Sequence, residues 1–456
     1  MDGADRWTDV RRGFEREFGR APAWRVCAPG RVNLIGEHVD YNGYPVLPLA
    51  VPQAVRLAAA PRGDTAVRLH NAAEAAFGDR SFDVAETIPP SEIGDWGNYA
   101  KAAVESLTRL AIEQGRPAGT LHGMDCLVHS DLPPASGLSS STALVVAVGL
   151  AFAAVNRLPL EPHAMAERMA EAEHYVGTQG GGMDQAACLL ARRGYVLKVE
   201  FHPLRAAHLP FPPGHCIIAA HSTVQARKTA EQRLAYNRRV IECRVGAHLL
   251  ARALGVRASG AAPARRLSDL APLVADAEEE LPRRLHALVD GREGLAPADA
   301  ADALGMDPAR FAQTFLRMSD GRILSVPADG LKVLSRCRHV FSEAARTRRA
   351  ERCLETGDMP ALGRLMDQSH ASCAADMEVS CPELDQLVGI MRNAGALGAR
   401  LTGAGLGGFA VALAPVGAAD DILRALRRDF YARRPPAPDG ALFVCRPAQG
   451  AVEEPF

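Results

Sequence analysis

Apolar residues recur along this chain at helical spacing in some segments and at strand spacing in others. Between residues 6 and 18 they fall at Trp7, Val10, Phe14 and Phe18, the spacing of one helix face. Short runs rich in β-forming residues predict strands at 54–60, 67–70, 123–129, 195–201, 215–221 and 441–446. Amphipathic runs predict helices at 96–113, 162–175, 226–254, 331–355, 359–373, 381–393 and 419–431. This mixture predicts an α+β protein.

The stretch from Ala28 to Ala50 interrupts the pattern with polar side chains between two apolar runs. It reads A-P-G-R-V-N-L-I-G-E-H-V-D-Y-N-G-Y-P-V-L-P-L-A. Its β-formers at 32–35 predict a strand. Glu37, His38 and Asp40 follow within a few residues, so we expect them at the end of that strand, beside a cleft.

We call residues 36–40 the acidic turn. The Asn-Gly pair that follows it tolerates positive φ and predicts a tight turn. Two carboxylates and an imidazole can accept and donate many hydrogen bonds, which suits a polyhydroxylated ligand. The alternative is a surface turn with ordinary charges, and it is weaker here because three more Gly-rich segments recur along the chain.

A second polar interruption, residues 132–141, precedes an apolar helix, and we call it the serine loop. With the three residues that follow it reads L-P-P-A-S-G-L-S-S-S-T-A-L. Gly137 allows close backbone approach to an oxyanion, and the first N–H groups of the helix lack intrahelical partners. Serine hydroxyls can bind phosphate or Mg²⁺. The loop lacks the Walker A pattern. The alternative is a serine N-cap on a buried helix.

Two carboxylates flank a third Gly-rich segment, G-T-Q-G-G-G-M-D-Q at residues 177–185. Asp184 follows the successive glycines, and Glu173 lies eleven residues upstream. An aspartate at a helix entrance is by itself most often a charge that favours the helix dipole. A fourth glycine-rich segment, A-R-L-T-G-A-G-L-G-G-F-A-V-A-L at 399–413, lies between two predicted strands.

Composition excludes several classes of function. The 456 residues carry a formal net charge of −1, which provides no basic surface for nucleic acid or an anionic membrane. The ten cysteines are scattered without a C-x-x-C pair, so we do not expect a zinc site. We expect the protein to reside in a reducing compartment. The N-terminus lacks the apolar core of a signal peptide, and no apolar run is long enough to span a bilayer. We therefore expect a cytoplasmic protein.

The Gly-rich segments together resemble the motifs of galactokinases, within the superfamily of galactokinase, homoserine, mevalonate and phosphomevalonate (GHMP) kinases. G-R-V-N-L-I-G-E-H followed by D-Y-N is similar to the galactokinase signature, the serine loop to the superfamily's ATP-binding motif and G-A-G-L-G-G to its third motif. The segments G-T-Q-G-G-G-M-D-Q, F-H-P-L-R-A, H-V-F-S-E-A-A-R and S-C-P-E-L-D-Q-L-V are similar to the branch that holds N-acetylgalactosamine kinases alongside eukaryotic-type galactokinases.

The resemblance implies a role for each matching residue. Catalytic roles fall on Asp184, as base or hydroxyl-orienting group, and on Arg31, near the transferring phosphate. Sugar contacts are implied for Glu37, His38, Asp40, Asp184 and Tyr236. Nucleotide contacts are implied for Pro134, Ser136, Gly137, Leu138, Ser139, Ser140 and Ser141. The implied metal ligands are Glu173 with Ser140 or Ser141, and the third motif contributes Gly403, Gly405, Gly407 and Gly408.

The fold implied by the resemblance has two α+β domains with the active site in the cleft between them. We place the N-terminal domain at 1–255, with the acidic turn and the serine loop, and the C-terminal domain at 256–456, with the third motif. The boundary is approximate. Residues 256–330 show no chemical signal.

The implied activity is phosphoryl transfer from ATP, with Mg²⁺, to the C1 hydroxyl of galactose. Two alternatives stay open: an N-acetylgalactosamine 1-kinase, and a non-catalytic sensor of galactose and ATP. The complete serine loop and Asp184 favour an enzyme, and a tyrosine at position 236 favours galactose over the bulkier sugar. The expected partners are the small-molecule sugar and ATP, with no nucleic acid, no membrane and no obligate protein partner.

Overall fold

A computed structural model describes residues 3–73, 75–134, 136–177, 180–224, 230–255, 266–273, 280–318, 321–434 and 437–456. Three β-sheets and the helices packed on them make up most of these residues. Among the described residues, no helix is both long and apolar enough to cross a membrane.

The largest sheet has six strands and carries the start of the acidic turn. Its strands, with their bounds, are β1 (Trp24–Asn33), β2 (Pro48–Pro61), β3 (Ala66–Asn71), β4 (Arg80–Asp83), β5 (Met124–Ser130) and β12 (Val452–Pro455). The spatial order is β12-β1-β2-β5-β3-β4. Among the described strands of this sheet, β3 and β5 pair in parallel and the other neighbours are antiparallel. The β1–β2 ladder shifts register between Pro29 and Arg31, so β1 is irregular where it approaches the site.

The second sheet has four antiparallel strands in the order β11-β8-β10-β9. These are β8 (His215–His221), β9 (Gly398–Leu401), β10 (Phe409–Pro415) and β11 (Leu442–Cys445), and a separate hairpin joins β6 (Tyr195–Glu200) to β7 (Arg205–Pro210). The loop between β9 and β10 carries the glycines of the third motif.

The helices cover both sheets and form a helical region of their own. They are α1 (Gly3–Phe18), α2 (Gly97–Glu113), α3 (Ser140–Asn156), α4 (Pro162–Ala172), α5 (Met183–Leu190), α6 (Ala230–Ala253), α7 (Leu281–Leu288), α8 (Pro297–Leu304), α9 (Pro308–Phe311), α10 (Val333–Thr356), α11 (Met359–Ala375), α12 (Pro382–Asn393) and α13 (Ala419–Asp429). Helix α3 packs on β1, β2 and α2. Its nearly all-apolar sequence suits this buried position.

Three large apolar clusters follow this arrangement. One fills the space between the six-stranded sheet and α2 and α3, and includes Leu57 and Phe152. A second, with Phe311 and Phe315, is built mainly by the helices from α6 to α10. The third lies between the four-stranded sheet and α12 and α13, and includes Leu426. Burial of this apolar surface is the main driving force for folding.

Most of the predicted helices and strands are present, with shifted ends. The strand predicted at 215–221 is β8, and the helix predicted at 96–113 is α2. The helix predicted at 162–175 instead ends at Ala172 and continues as a 3₁₀ turn, Glu173–Val176. The short edge strands β4, β7 and β12 were not predicted, because their residues lack a run of β-formers.

The predicted division at 255/256 remains a prediction, and residue 256 lies outside the described residues. Three strand pairings in the sheets cross that position. Strand β8 precedes it yet pairs with β10 and β11, and the C-terminal β12 pairs with β1. The chain therefore returns to the first sheet at its end, which ties the two halves together.

A buried ion pair joins α6 to α10. Arg336 donates from Nε to Glu242 at 2.8 Å and from an Nη to Glu378 at 2.7 Å. The side chains of Arg336 and Glu242 are only 2% and 1% exposed. Removal of one partner from such a pair leaves a buried charge without compensation.

We predict that Arg336→Met lowers the apparent free energy of unfolding in urea by about 3–5 kcal/mol. The matched control is Arg338→Met on the same helix, because Arg338 is 47% exposed and pairs with Asp376 at the surface. Arg338→Met should lower the free energy of unfolding by about 1 kcal/mol or less. Equal losses in the two variants would contradict the prediction.

Candidate functional site

The acidic turn begins where β1 ends. The backbone continues to pair beyond the strand, with Leu34 N donating to Leu47 O and Leu47 N donating to Ile35 O, each at 3.0 Å. Gly36 then adopts a φ of 99°, and a Cβ there would lie 3.0 Å from the Cα of Val46. Only glycine combines this φ with this close approach. The turn is therefore held against a rigid sheet.

Glu37 connects the acidic turn to the second sheet. Its carboxylate accepts hydrogen bonds from Arg400 Nη1 at 2.7 Å, from the backbone N of Gly403 at 3.0 Å and from Asn33 at 3.2 Å. Arg400 is fully buried, and the Glu37 side chain is 2% exposed. Although burial opposes it, the neighbouring carboxylate keeps the pKa of Arg400 above its ordinary value. The bond from the backbone N of Gly403 to Glu37 holds the start of the Gly-rich segment after β9 in place.

His38 and two tyrosines form an aromatic wall beside the turn. The His38 ring lies 5.6 Å from the Tyr236 ring and 6.0 Å from the Tyr41 ring, measured between centroids. Its Nδ1 contacts the Tyr41 hydroxyl, and its Nε2 contacts the carbonyl of Ala404. Burial lowers the pKa of His38 to about 3, so the ring is neutral. A neutral imidazole in contact with two tyrosines suits hydroxyl groups better than anions.

Asp40 faces the helix entrance that carries Asp184. The backbone N of Gly181 donates to its Oδ2 at 3.1 Å, and a Cβ at Gly181 would lie 2.4 Å from the Asp40 carbonyl carbon. Burial, and then the charge of Asp184, raise the pKa of Asp40 to about 6. Asp40 and Asp184, two of the three predicted sugar-contacting carboxylates, are thus brought close enough to repel each other.

The serine loop docks on β1. The backbone N of Arg31 donates to Leu138 O at 3.1 Å. A Cβ at Gly30 would meet the same carbonyl at 2.6 Å. Gly137 has a φ of 83°. Ser139 occupies the N-cap of α3, yet its side chain makes no capping hydrogen bond. This geometry disfavours the alternative of a plain serine N-cap.

Asp184 lies at the centre of the predicted catalytic residues. Its Oδ1 accepts from Arg31 Nε at 2.7 Å, and its Oδ2 accepts from the Ser139 hydroxyl at 2.5 Å. Arg31 also donates to Gly137 O at 2.6 Å. The Asp184 side chain remains 28% exposed while that of Arg31 is 5% exposed. The carboxylate is therefore fixed at two atoms and still accessible.

Glu173 faces the first turn of α3. Its Oε1 accepts from the hydroxyl of Thr142 at 2.5 Å, and both residues are buried. Ser140 and Ser141 occupy the same helical turn as Thr142. Carboxylate and hydroxyl oxygens are the kind of ligand that Mg²⁺ accepts. The donor set beside the serine loop is thus compatible with the predicted metal.

Residues 402–408, which we call the C-terminal glycine loop, pack directly on the serine loop. A Cβ at Gly403 would lie 2.8 Å from Gly137 O, and one at Gly408 would lie 2.5 Å from Ser136 O. Cβ atoms at Gly405 and Gly407 would meet Val379 O and Val224 O at 2.1 and 2.8 Å. All four glycines also have positive φ. A side chain at Gly403 or Gly408 would push the two loops apart.

Comparisons with known proteins agree with this geometry. Residues 12–61 match the galactokinase galactose-binding signature, 98–192 the GHMP kinases N terminal domain and 350–432 the GHMP kinases C terminal domain. The chain is 32% identical to a galactokinase from Dictyostelium discoideum, over 94% of this chain and 88% of that protein. It is also 32% identical to a galactokinase from Saccharomyces cerevisiae, over 98% and 94%.

The chain belongs to the galactokinase family.

A solved structure establishes the fold independently of sequence. Lactococcus lactis galactokinase, crystallised with galactose, superimposes with a TM-score of 0.74 at 24% identity, over 98% of this chain and 99% of that one. The predicted GHMP-kinase fold, with N- and C-terminal domains, is therefore confirmed. The roles given above to individual residues of this galactokinase-family chain stay predictions.

Sequence reasoning missed three residues that the fold places at the site. Tyr41 follows Asp40 directly, and its role in the aromatic wall has no sequence signal beyond that position. Thr142 follows the serine run and reaches Glu173. Arg400 had a signal that could have been used, since it is a charged residue within an apolar strand and must be paired when buried.

We predict that Gly137→Ala weakens binding of Mg-ATP, because a side chain at φ 83° distorts a loop predicted to bind phosphate. The matched control is Gly115→Ala, where φ is 82° and a Cβ would meet nothing within 4 Å. Both variants should lose about 1 kcal/mol of stability from the strained backbone. Thermal unfolding with and without Mg-ATP separates them. An equal nucleotide-induced shift in both variants would disprove phosphate binding by this loop.

Proposed function

We propose that this chain transfers the terminal phosphoryl group of ATP to the C1 hydroxyl of galactose. The observation that carries the proposal is the placement of Asp184, fixed by Arg31 and Ser139 and still accessible, in a chain that belongs to the galactokinase family. Phosphoryl transfer needs positioning and neutralisation of charge more than it needs covalent chemistry. The site supplies both.

Asp184 orients or deprotonates the attacking hydroxyl. Its Oδ1 pairs with Arg31 and its Oδ2 with Ser139, so the carboxylate cannot rotate freely. Each carboxylate oxygen has a further lone pair with which to accept a sugar hydroxyl. Arg31 lies between this carboxylate and the serine loop, so its guanidinium is suited to stabilise charge that develops on the transferred phosphate.

The serine loop binds the nucleotide phosphates. Helix α3 begins at Ser140, directly after Gly137, Leu138 and Ser139 of the loop. The N–H groups in the first turn of an α-helix lack acceptors in the helix itself, and the helix dipole adds a favourable field for an anion. The C-terminal glycine loop packs closely on the serine loop, because Gly403 and Gly408 have no side chains. We propose that this contact keeps water out of the phosphate site.

Glu173, with the hydroxyl of Ser140 or Ser141, would hold Mg²⁺, and the Thr142 hydroxyl positions Glu173. A bound Mg²⁺ would neutralise phosphate charge and fix the orientation of the phosphates. This chain's own contribution is a buried carboxylate aimed at the start of α3.

The acidic turn and the aromatic wall bind the sugar. Asp40, whose pKa is raised to about 6, is suited to accept hydroxyl hydrogen bonds near neutral pH. Neutral His38 and the half-buried Tyr236 supply further polar and apolar contacts. Glu37 has its outer oxygens engaged by Arg400 and Gly403, so any contact with the sugar uses a remaining lone pair.

Two other functions were open from the sequence. An N-acetylgalactosamine 1-kinase would need room for the C2 substituent beside Tyr236, and a galactose and ATP sensor would not need an accessible catalytic carboxylate. The family relationship favours galactose over N-acetylgalactosamine, and the accessible Asp184 carboxylate favours an enzyme over a sensor. The cytoplasmic location and the lack of an obligate protein partner stay predictions.

We predict that Asp184→Asn lowers kcat by about 10²–10⁴, because general-base contributions have this size. Binding of ATP should change little. The matched control is Asp420→Asn at the exposed start of α13, which should keep wild-type kcat. Steady-state kinetics and nucleotide titration measure both quantities. Near-normal turnover in Asp184→Asn would remove this residue from the mechanism.

The choice of sugar is tested by kcat/KM for galactose, N-acetylgalactosamine and glucose with the same enzyme. We expect galactose to be preferred, with little activity on glucose, because hydrogen-bonding sites discriminate against a misplaced hydroxyl. A higher kcat/KM for N-acetylgalactosamine than for galactose would contradict this expectation and support an N-acetylgalactosamine 1-kinase. Phosphorylation of none of the three sugars would support the sensor.

A further inference from the structure

The segment H-V-F-S-E-A-A-R, residues 339–346, has no role in the chemistry described so far. It lies in α10, and its side chains at His339 and Glu343 are fully buried. Buried histidine and glutamate are rare unless they have partners. Their partners include backbone atoms of the acidic turn.

Glu343 caps the backbone of the acidic turn. Its Oε1 accepts from the N–H of Gly36 at 2.9 Å and of Glu37 at 3.3 Å, and also from the Ser369 hydroxyl on α11. Its Oε2 accepts from Arg346 Nε at 2.7 Å. Burial opposes ionisation, but Arg346 and then Arg400 lower the pKa of Glu343 to about 2. The cap is therefore a carboxylate at neutral pH.

His339 binds the backbone carbonyl oxygen of Glu37 in the acidic turn. Its Nε2 lies 3.0 Å from the carbonyl oxygen of Glu37, and its Nδ1 lies 2.9 Å from the hydroxyl of Ser372. A carbonyl can only accept, so Nε2 carries the proton and donates it. Burial lowers the pKa of His339, which makes the neutral ring with this tautomer the resting form.

A third contact joins α10 to the acidic turn. A Cβ at Gly36 would lie 3.2 Å from the Thr347 hydroxyl oxygen, so α10 also packs against the turn. The N–H groups of Gly36 and Glu37 and the carbonyl of Glu37 are thus all bonded to α10. These atoms immediately precede His38 and Asp40.

We propose that Glu343 and His339 are positioning residues that set the affinity for galactose by fixing the backbone of the acidic turn. The inference rests on the proposed function, because it takes the acidic turn to be the sugar site. Neither residue needs to touch the sugar. A small rotation of the Glu37 backbone would displace His38 and Asp40 from the sugar hydroxyls, and polar sites lose affinity when such contacts are misplaced.

The test measures galactose binding by titration calorimetry without ATP, together with KM for both substrates. Glu343→Gln keeps the shape of the side chain but loses the charged cap, and it should raise the Kd for galactose about tenfold, as expected for loss of a charge-assisted hydrogen bond. The Kd for ATP should stay within about twofold. The matched control is Glu355→Gln on the exposed end of the same helix, which should leave both constants unchanged.

A second pair of variants separates hydrogen bonding from packing. His339→Leu removes the donor and should also raise the Kd for galactose about tenfold. In His339→Gln the amide N–H₂ can replace the Nε2 donor, so affinity should be largely restored. A residue with only a structural role would lower the thermal stability in both variants and weaken galactose and ATP binding alike.

Two results would overturn the inference: an unchanged Kd for galactose in Glu343→Gln and His339→Leu, or equal losses for galactose and ATP. Either result with an active wild-type enzyme rejects only the positioning role. A wild-type protein that neither binds nor phosphorylates galactose rejects the proposed function itself.

Discussion

The buried contact of Glu37 with Arg400 and Gly403 is the interaction on which the site depends. Glu37 follows the last strand residues of the first sheet, whereas Arg400 and Gly403 lie at the end of β9 in the second. Both charges are removed from water, so loss of either would leave the other uncompensated at a cost of about 3–5 kcal/mol. This pair aligns the end of one sheet with the glycine loop of the other.

Placement of the reacting groups follows from that alignment. The C-terminal glycine loop can approach the serine loop only because Gly403 and Gly408 have no side chains. The serine loop in turn is bonded to β1 at Arg31, and Arg31 orients Asp184. The acidic turn, the serine loop and the Asp184 carboxylate are therefore parts of one bonded unit, which is the preorganisation that the proposed phosphoryl transfer requires.

Helix α10 supports this unit from behind. Through Glu343 and His339 it bonds the backbone of the acidic turn, and through Arg336 it joins α6, the helix that carries Tyr236. The acidic turn and the helix that carries Tyr236, which form the two sides of the proposed sugar site, thus share one scaffold helix. Such a scaffold lets residues far from the ligand affect its binding through backbone position alone.

The sequence by itself determined the family, the α+β class and the local shape of each loop, because Gly, Pro and β-former patterns act over a few residues. Asp184 and the serine loop could be singled out in this way. Only the tertiary structure decided which distant groups meet. The pairing of Glu37 with Arg400, of Glu343 with the turn backbone and of β12 with β1 joins residues hundreds of positions apart. Local propensity carries no information on such contacts, which are selected by burial of charge and packing of the whole chain.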